Sequence, residues 1–97
     1  MEFLYVIASK DGLSGVKIGF SKDPERRLRQ LQTAQPVQLF IHYSEPVMVK
    51  KAKFVEKAVH RALAYKTLRG EWFSIEINEA ILEVKYGIMR WDEALLR

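Results

Sequence analysis

The chain contains no cysteine, and only three of its 97 residues are proline and five glycine. Without thiols there is no disulfide framework and no thiolate metal site, so a packed core must hold the fold together. The same absence fits a cytoplasmic protein, which is the expected location. No apolar run approaches the ~20 residues that span a bilayer, so no membrane partner is expected. The opening Met1-Glu2-Phe3 lacks the basic stretch that begins a secretory leader. Proline and glycine are too scattered to form a linker, and there is no repeat or low-complexity stretch. Two histidines at no zinc-like spacing leave little for a metal built from imidazoles. What remains is a single domain over residues 1–97 with one core, helices and sheet covering each other.

Charge is present and unevenly placed. Residues 1–70 hold thirteen Lys/Arg against six Asp/Glu, a balance of +7, and residues 71–97 hold three against six, a balance of −3; together they give the net +4. A basic front and an acidic tail imply one surface that meets a polyanion, since lysine and arginine contacts to phosphate supply most non-specific affinity for nucleic acid.

Glu2 to Ala8 is rich in strand formers and apolar on both faces, which predicts a central strand covered on each side. A turn-rich connector over Ser9–Gly15 leads to a second strand, Val16 to Phe20, and the two read as a hairpin. Val16, Ile18 and Phe20 share one face of that strand, and Lys17 and Gly19 share the other. Glycine within a strand marks a close approach of backbone or ligand. Asp23-Pro24-Glu25 is a helix start, with a capping carboxylate, proline at the first helical position and an acid in the first turn. This helix is expected to run to about Gln32, with Leu28 and Leu31 facing the core. Val37 to Tyr43 reads as a third strand, ended near Pro46. From Val47 to Tyr65, Met48, Ala52, Val55, Val59, Ala62 and Leu63 mark one helical face. Gly70 to Ile75 is a short extended segment. Asn78 is expected to cap a last helix, about 78–95, whose Ile81, Val84, Ile88, Trp91 and Leu95 recur at helical spacing. The order β-β-α-β-α-β-α predicts an α+β fold, a small mainly antiparallel sheet flanked by helices.

Helix geometry singles out two charged residues. Arg27 borders the Leu28/Leu31 stripe while Arg26 and Arg29 point to solvent, so Arg27 can lie over the sheet. Its bland role is an arginine covering apolar surface. Glu56 likewise borders the Val55/Val59 face, flanked by Lys53 and His60; its bland role is a solvated i,i+4 pair. Hairpin pairing would place Tyr5 and Lys17 on the same side. Their bland roles are a core aromatic and an exposed strand lysine. Alternation puts one of Trp72 and Phe73 inward, and Phe54 falls off its helix's apolar face, leaving it available for stacking.

Taken in order, Phe3-Leu4-Tyr5, Lys17-Ile18-Gly19-Phe20-Ser21, Arg27-Leu28-Arg29-Gln30-Leu31, Glu56 with His60, and Gly70-Glu71-Trp72-Phe73 resemble a GIY-YIG nuclease domain of the divergent bacterial and phage branch. The resemblance covers residues 3–73. It implies a metal-dependent endonuclease acting on DNA. Tyr5 would orient or deprotonate the attacking water, Arg27 would stabilise charge on the phosphate, and Glu56 would hold a single Mg²⁺ or Mn²⁺. Lys17 and His60 would support them, and Lys22, Arg26, Arg29 and Lys53 would meet the nucleic-acid backbone. Tyr5 as a base would need its pKa brought down from about 10, and nearby Lys17, Arg27 and the metal ion would each push it down.

Three positions depart from the family pattern. Lys17 stands where the second motif tyrosine is usual, Leu31 where a histidine often follows the arginine, and the late asparagine has no clear counterpart. Lys17 could act as an electrostatic group or, if desolvated, as a base. The alternatives to a nuclease are a non-catalytic nucleic-acid-binding module that keeps the fold, or an interaction domain whose last helix forms a homodimer. A domain this short leaves little room for target recognition, so a partner protein could supply it.

Overall fold

The computed structural model describes residues 1–48 and 50–96, the last five of these in backbone only. It is an α+β fold in which three helices flank a five-stranded sheet of order β3-β1-β2-β5-β4, every neighbouring pair antiparallel. The strands are β1 Glu2–Ala8, β2 Val16–Ser21, β3 Phe40–Val47, β4 Thr67–Arg69 and β5 Trp72–Phe73. The helices are α1 Pro24–Gln32, α2 Ala52–Ala62 and α3 Ile77–Leu96. Among the described residues, no helix is long and apolar enough to cross a membrane.

β1 is the central strand that its doubly apolar pattern predicts. Leu4, Val6 and Ala8 pack with Val16, Ile18, Phe73 and the helices α2 and α3 on one face. Tyr5 and Ile7 pack with Leu39 on the other, under Leu28 and Leu31 of α1. The hairpin register pairs Tyr5 with Gly19 and Ile7 with Lys17, so the aromatic, the glycine and the lysine share the α1 face. α1 starts where the sequence marks it: Asp23 accepts a bond from the Arg26 backbone N–H at 3.1 Å, and Pro24 takes the first helical position.

The expected boundaries move at three places. The third strand begins at Phe40 rather than Val37 and runs through Pro46 to Val47. Gln32 causes the late start. Its amide nitrogen donates to the Val37 carbonyl at 2.9 Å, and its amide oxygen accepts from the Leu39 N–H at 2.7 Å. Those backbone groups are therefore spent on a side chain rather than a strand. Proline is tolerated farther along because β3 is an edge strand. α2 begins at Ala52 rather than Val47, since Met48 closes a turn with Lys51 (3.0 Å) and Lys50 takes a positive φ of 77°. Met48 is consequently exposed instead of sharing the apolar face. At its far end the helix passes into a 3₁₀ turn, Ala64–Lys66.

β4 is absent from the sequence-based reading. It forms a second hairpin with β5 through Gly70 and Glu71, with Gly70 at φ +54° as a two-residue turn carrying glycine first requires. Asn78, expected to cap the last helix, lies inside its first turn, and the carbonyl of Glu76 accepts the bond from Ala80 (3.0 Å). Ala80, Val84 and Ile88 bury against α2 and the sheet. The last apolar position expected on that face, Leu95, lies outside the described side chains.

Candidate active site

Five elements bring charged and phenolic groups together around the second half of β2. Tyr5 comes from β1, Lys17 from β2, Arg27 from α1, Glu56 from α2 and Glu71 from the β4–β5 turn. The ring of Tyr5 covers Gly19: a Cβ there would lie 2.4 Å from the phenolic oxygen and 2.7 Å from Cζ. The strand glycine is therefore what lets the phenol lie across β2. Arg27 is half-buried above it, donating from Nη1 to Gln30 Oε1 at 3.3 Å. Burial pushes the Tyr5 hydroxyl above its ordinary value of 10.0, outweighing the opposing pull of Arg27, while the charges of Glu71 and Glu56 add to the rise. Among the protein's own groups the rise prevails, because desolvation of the phenolate exceeds the attraction of the neighbouring Arg27 cation.

α2 lies on the opposite face of the sheet, yet Glu56 still reaches the cluster. β5 pairs with β2 only at Val16 and Lys17. The ladder ends where Ile18 N–H donates to the Glu71 carbonyl at 3.2 Å. Beyond that point the edge of β2 would expose unpaired backbone groups. α2 satisfies two of them: His60 donates from Nε2 to the Ile18 carbonyl at 2.7 Å, and the Glu56 carboxylate accepts from the Phe20 N–H. His60 also packs on Phe73, with ring centroids 5.1 Å apart. The i,i+4 pair closes the sheet edge, and in doing so it carries Glu56 through the gap left by the short β5.

Glu56 is only 9% exposed. Burial first, and the nearby Glu71 charge second, push its carboxyl up to about 7 against the smaller opposing effects of Lys17 and the Phe20 N–H. Lys17 does not take the bland role of an exposed strand lysine: it is buried, with its ammonium 2.6 Å from Glu71 Oε2 and over the Trp72 ring at 5.7 Å. Trp72 borders the Tyr5 cluster and Phe73 enters the main core, dividing the dipeptide between faces as alternation requires.

Glu71 is the site residue that sequence reasoning missed. The available signal was Lys17 itself, since a lysine sharing a strand face with core residues needs a counter-charge. Lys22, Arg26 and Arg29 are exposed on and before α1. Lys53 is exposed on α2, its ammonium 5.1 Å from the centroid of Phe54. Phe54 is not a free stacking platform, because it stacks in parallel on Trp91 with centroids 5.4 Å apart.

The donors available to a cation are the carboxylate oxygens of Glu56 and Glu71, and no cluster of three or more histidine, aspartate or glutamate side chains forms among the described residues. No curated protein and no solved structure matches the chain. The model of the T5orf172 domain matches residues 2–89, which include all five residues of the site. The chain belongs to the T5orf172 domain family.

Proposed function

We propose that this protein is a GIY-YIG-like endonuclease that hydrolyses DNA phosphodiester bonds with one divalent metal ion. The observation that carries this reading is the convergence of Tyr5, Lys17, Arg27, Glu56 and Glu71 from five elements on one edge of β2. Membership of a family associated with nuclease-like proteins of phages and bacteria supports it.

Hard carboxylate oxygens in small number suit Mg²⁺ or Mn²⁺, which bind through one or two carboxylates and otherwise keep water and substrate phosphate as ligands. The fit is electrostatic as well: Glu56 is a buried carboxylate whose ionised form lacks a full counter-charge. Glu56 would hold the ion, and the bound ion would supply charge stabilisation at the leaving 3′-oxygen. Arg27 meets the negative charge that develops on the phosphoryl oxygens. Tyr5, kept as a neutral hydroxyl by its burial, orients the attacking water by hydrogen bonding. His60 braces α2 so that Glu56 keeps its place.

A supercoiled-plasmid nicking assay with Mg²⁺ or Mn²⁺ tests this reading. Wild type should nick, and Arg27→Ala and Glu56→Gln should each fall at least ~100-fold, the scale seen when one preorganised charge-stabilising group is removed. Equal residual activity in all three proteins would identify a contaminant and dispose of the enzyme. A second reading draws support from the roles that Glu56 and His60 already have in closing the sheet edge: a nucleic-acid-binding module without chemistry. It predicts DNA binding with no metal-dependent nicking.

A further inference from the structure

The nuclease reading leaves open which group accepts the proton of the attacking water, and the geometry points to Glu71. We propose that Glu71 is the catalytic carboxylate that deprotonates this water, with Lys17 holding it in place; the proposal rests on the nuclease reading above. Three other candidates are occupied. Tyr5 is buried beneath α1, its phenolate penalised by desolvation. Lys17 is an ammonium already engaged with Glu71, with no lone pair to take a proton. Glu56 is buried, bonded to the Phe20 N–H, and is the group suited to the metal ion.

Glu71 differs from each of them. Its side chain is 39% exposed, one oxygen is held by Lys17 at 2.6 Å, and Oε1 has no protein hydrogen-bond partner among the described residues. Its charge acts on both Tyr5 and Glu56, so it stands within electrostatic reach of the water-orienting phenol and of the proposed metal ligand. Its backbone is fixed as well. Gly70 at φ +54° makes the turn, and the Glu71 carbonyl accepts the last rung of the β2 ladder from Ile18. The position of Lys17, where the family resemblance expects a tyrosine, is thereby explained: the lysine is the clamp for a carboxylate delivered by the second hairpin.

The step balances without any further reagent. As the water oxygen bonds to phosphorus, its O–H bond breaks and the proton passes to Glu71 Oε1. The P–O bond to the leaving 3′-oxygen breaks with its electron pair on that oxygen, which takes a proton from solvent. Glu71 then returns its proton to bulk water.

The test uses the full chain and a plasmid substrate with Mg²⁺. Glu71→Gln keeps an oxygen for Lys17 but cannot accept a proton, and should lower kcat about 10²–10⁴-fold, the usual contribution of a general base, with KM and DNA affinity unchanged. Its residual rate should climb about tenfold per pH unit as hydroxide replaces the missing base, whereas the wild-type rate levels off. Glu71→Ala supplies a second variant should the glutamine form fold poorly, and added formate should restore part of its kcat. A loss confined to KM, or an alanine variant that formate does not rescue, would make Glu71 only a brace for Lys17 and overturn the proposal. A wild type that cuts beside a Glu71→Gln that cuts equally well overturns this assignment alone. A wild type that never cuts overturns it together with the nuclease reading.

Discussion

Glu56 is where the proposed function and stability pull against each other. Its carboxyl, ordinarily near 4.5, is pushed up to about 7 in the folded chain by burial. Below pH 4.5 both folded and unfolded forms carry the proton, and the group is neutral toward folding. Between about 4.5 and 7 the unfolded chain releases its proton while the folded chain keeps it, so stability falls as pH rises through this window and stays low above it. At 1.36 kcal/mol per pKa unit the penalty is at most ~3 kcal/mol. Glu56→Gln retains an oxygen for the Phe20 N–H and removes the charge. The variant should therefore melt higher than wild type at pH 8 and no higher at pH 4. Thermal melts of the two proteins across this range check the sign, and a variant that melts lower at pH 8 would show that the buried carboxylate stabilises the fold. A group retained at a stability cost is what a binding or catalytic site requires.

Elements legible in this sequence are those whose signal is local. β1 and β2 announce themselves by apolar faces, and α1 by Asp23-Pro24-Glu25, with Arg27 on the flank of the Leu28/Leu31 stripe. The elements that shift are governed by distant partners. Gln32 claims the backbone of Val37 and Leu39, which no periodicity reveals. β4 is three exposed residues paired with β5 in a hairpin, and missing it also hid the role of Glu71. Burial of Lys17 depends on that same hairpin. The α2–α3 packing depends on a glycine in the middle of a helix, where Gly is ordinarily unfavourable. A Cβ on Gly87 would lie 2.8 Å from Val59 Cγ2 and 3.2 Å from Val55 Cγ1, both on buried β-branched residues. Gly87→Ala gains up to ~1 kcal/mol of helix propensity but overpacks a contact at a cost of roughly 1–3 kcal/mol. The net expectation is a loss of ~1 kcal/mol, read as a lower urea midpoint at unchanged m-value. A gain in stability would mean that the two helices have room to separate.

Across the whole molecule, charge is segregated along the chain. Lys22, Arg26 and Arg29 lie exposed around α1, the helix that carries Arg27 over the site, while Glu76 and Glu79 lie exposed at the start of α3. Net charge alone would make these two groups equivalent in weight, since removing either pair of charges changes the total by two. A located binding face does not. If DNA lies across α1 to reach the site, each lost phosphate contact reduces the steepness of log K against log salt by about 0.9. Arg26→Gln with Arg29→Gln should then weaken DNA binding and flatten that slope by about 1.8. Glu76→Gln with Glu79→Gln should leave the slope as it is, although it raises the net charge. Binding titrations of the three proteins over a range of salt concentrations separate the cases. An unchanged slope in the arginine double variant would remove α1 from the nucleic-acid interface. With it would go the route by which Arg27 meets a phosphate, because a backbone that does not cross α1 cannot be brought under its guanidinium.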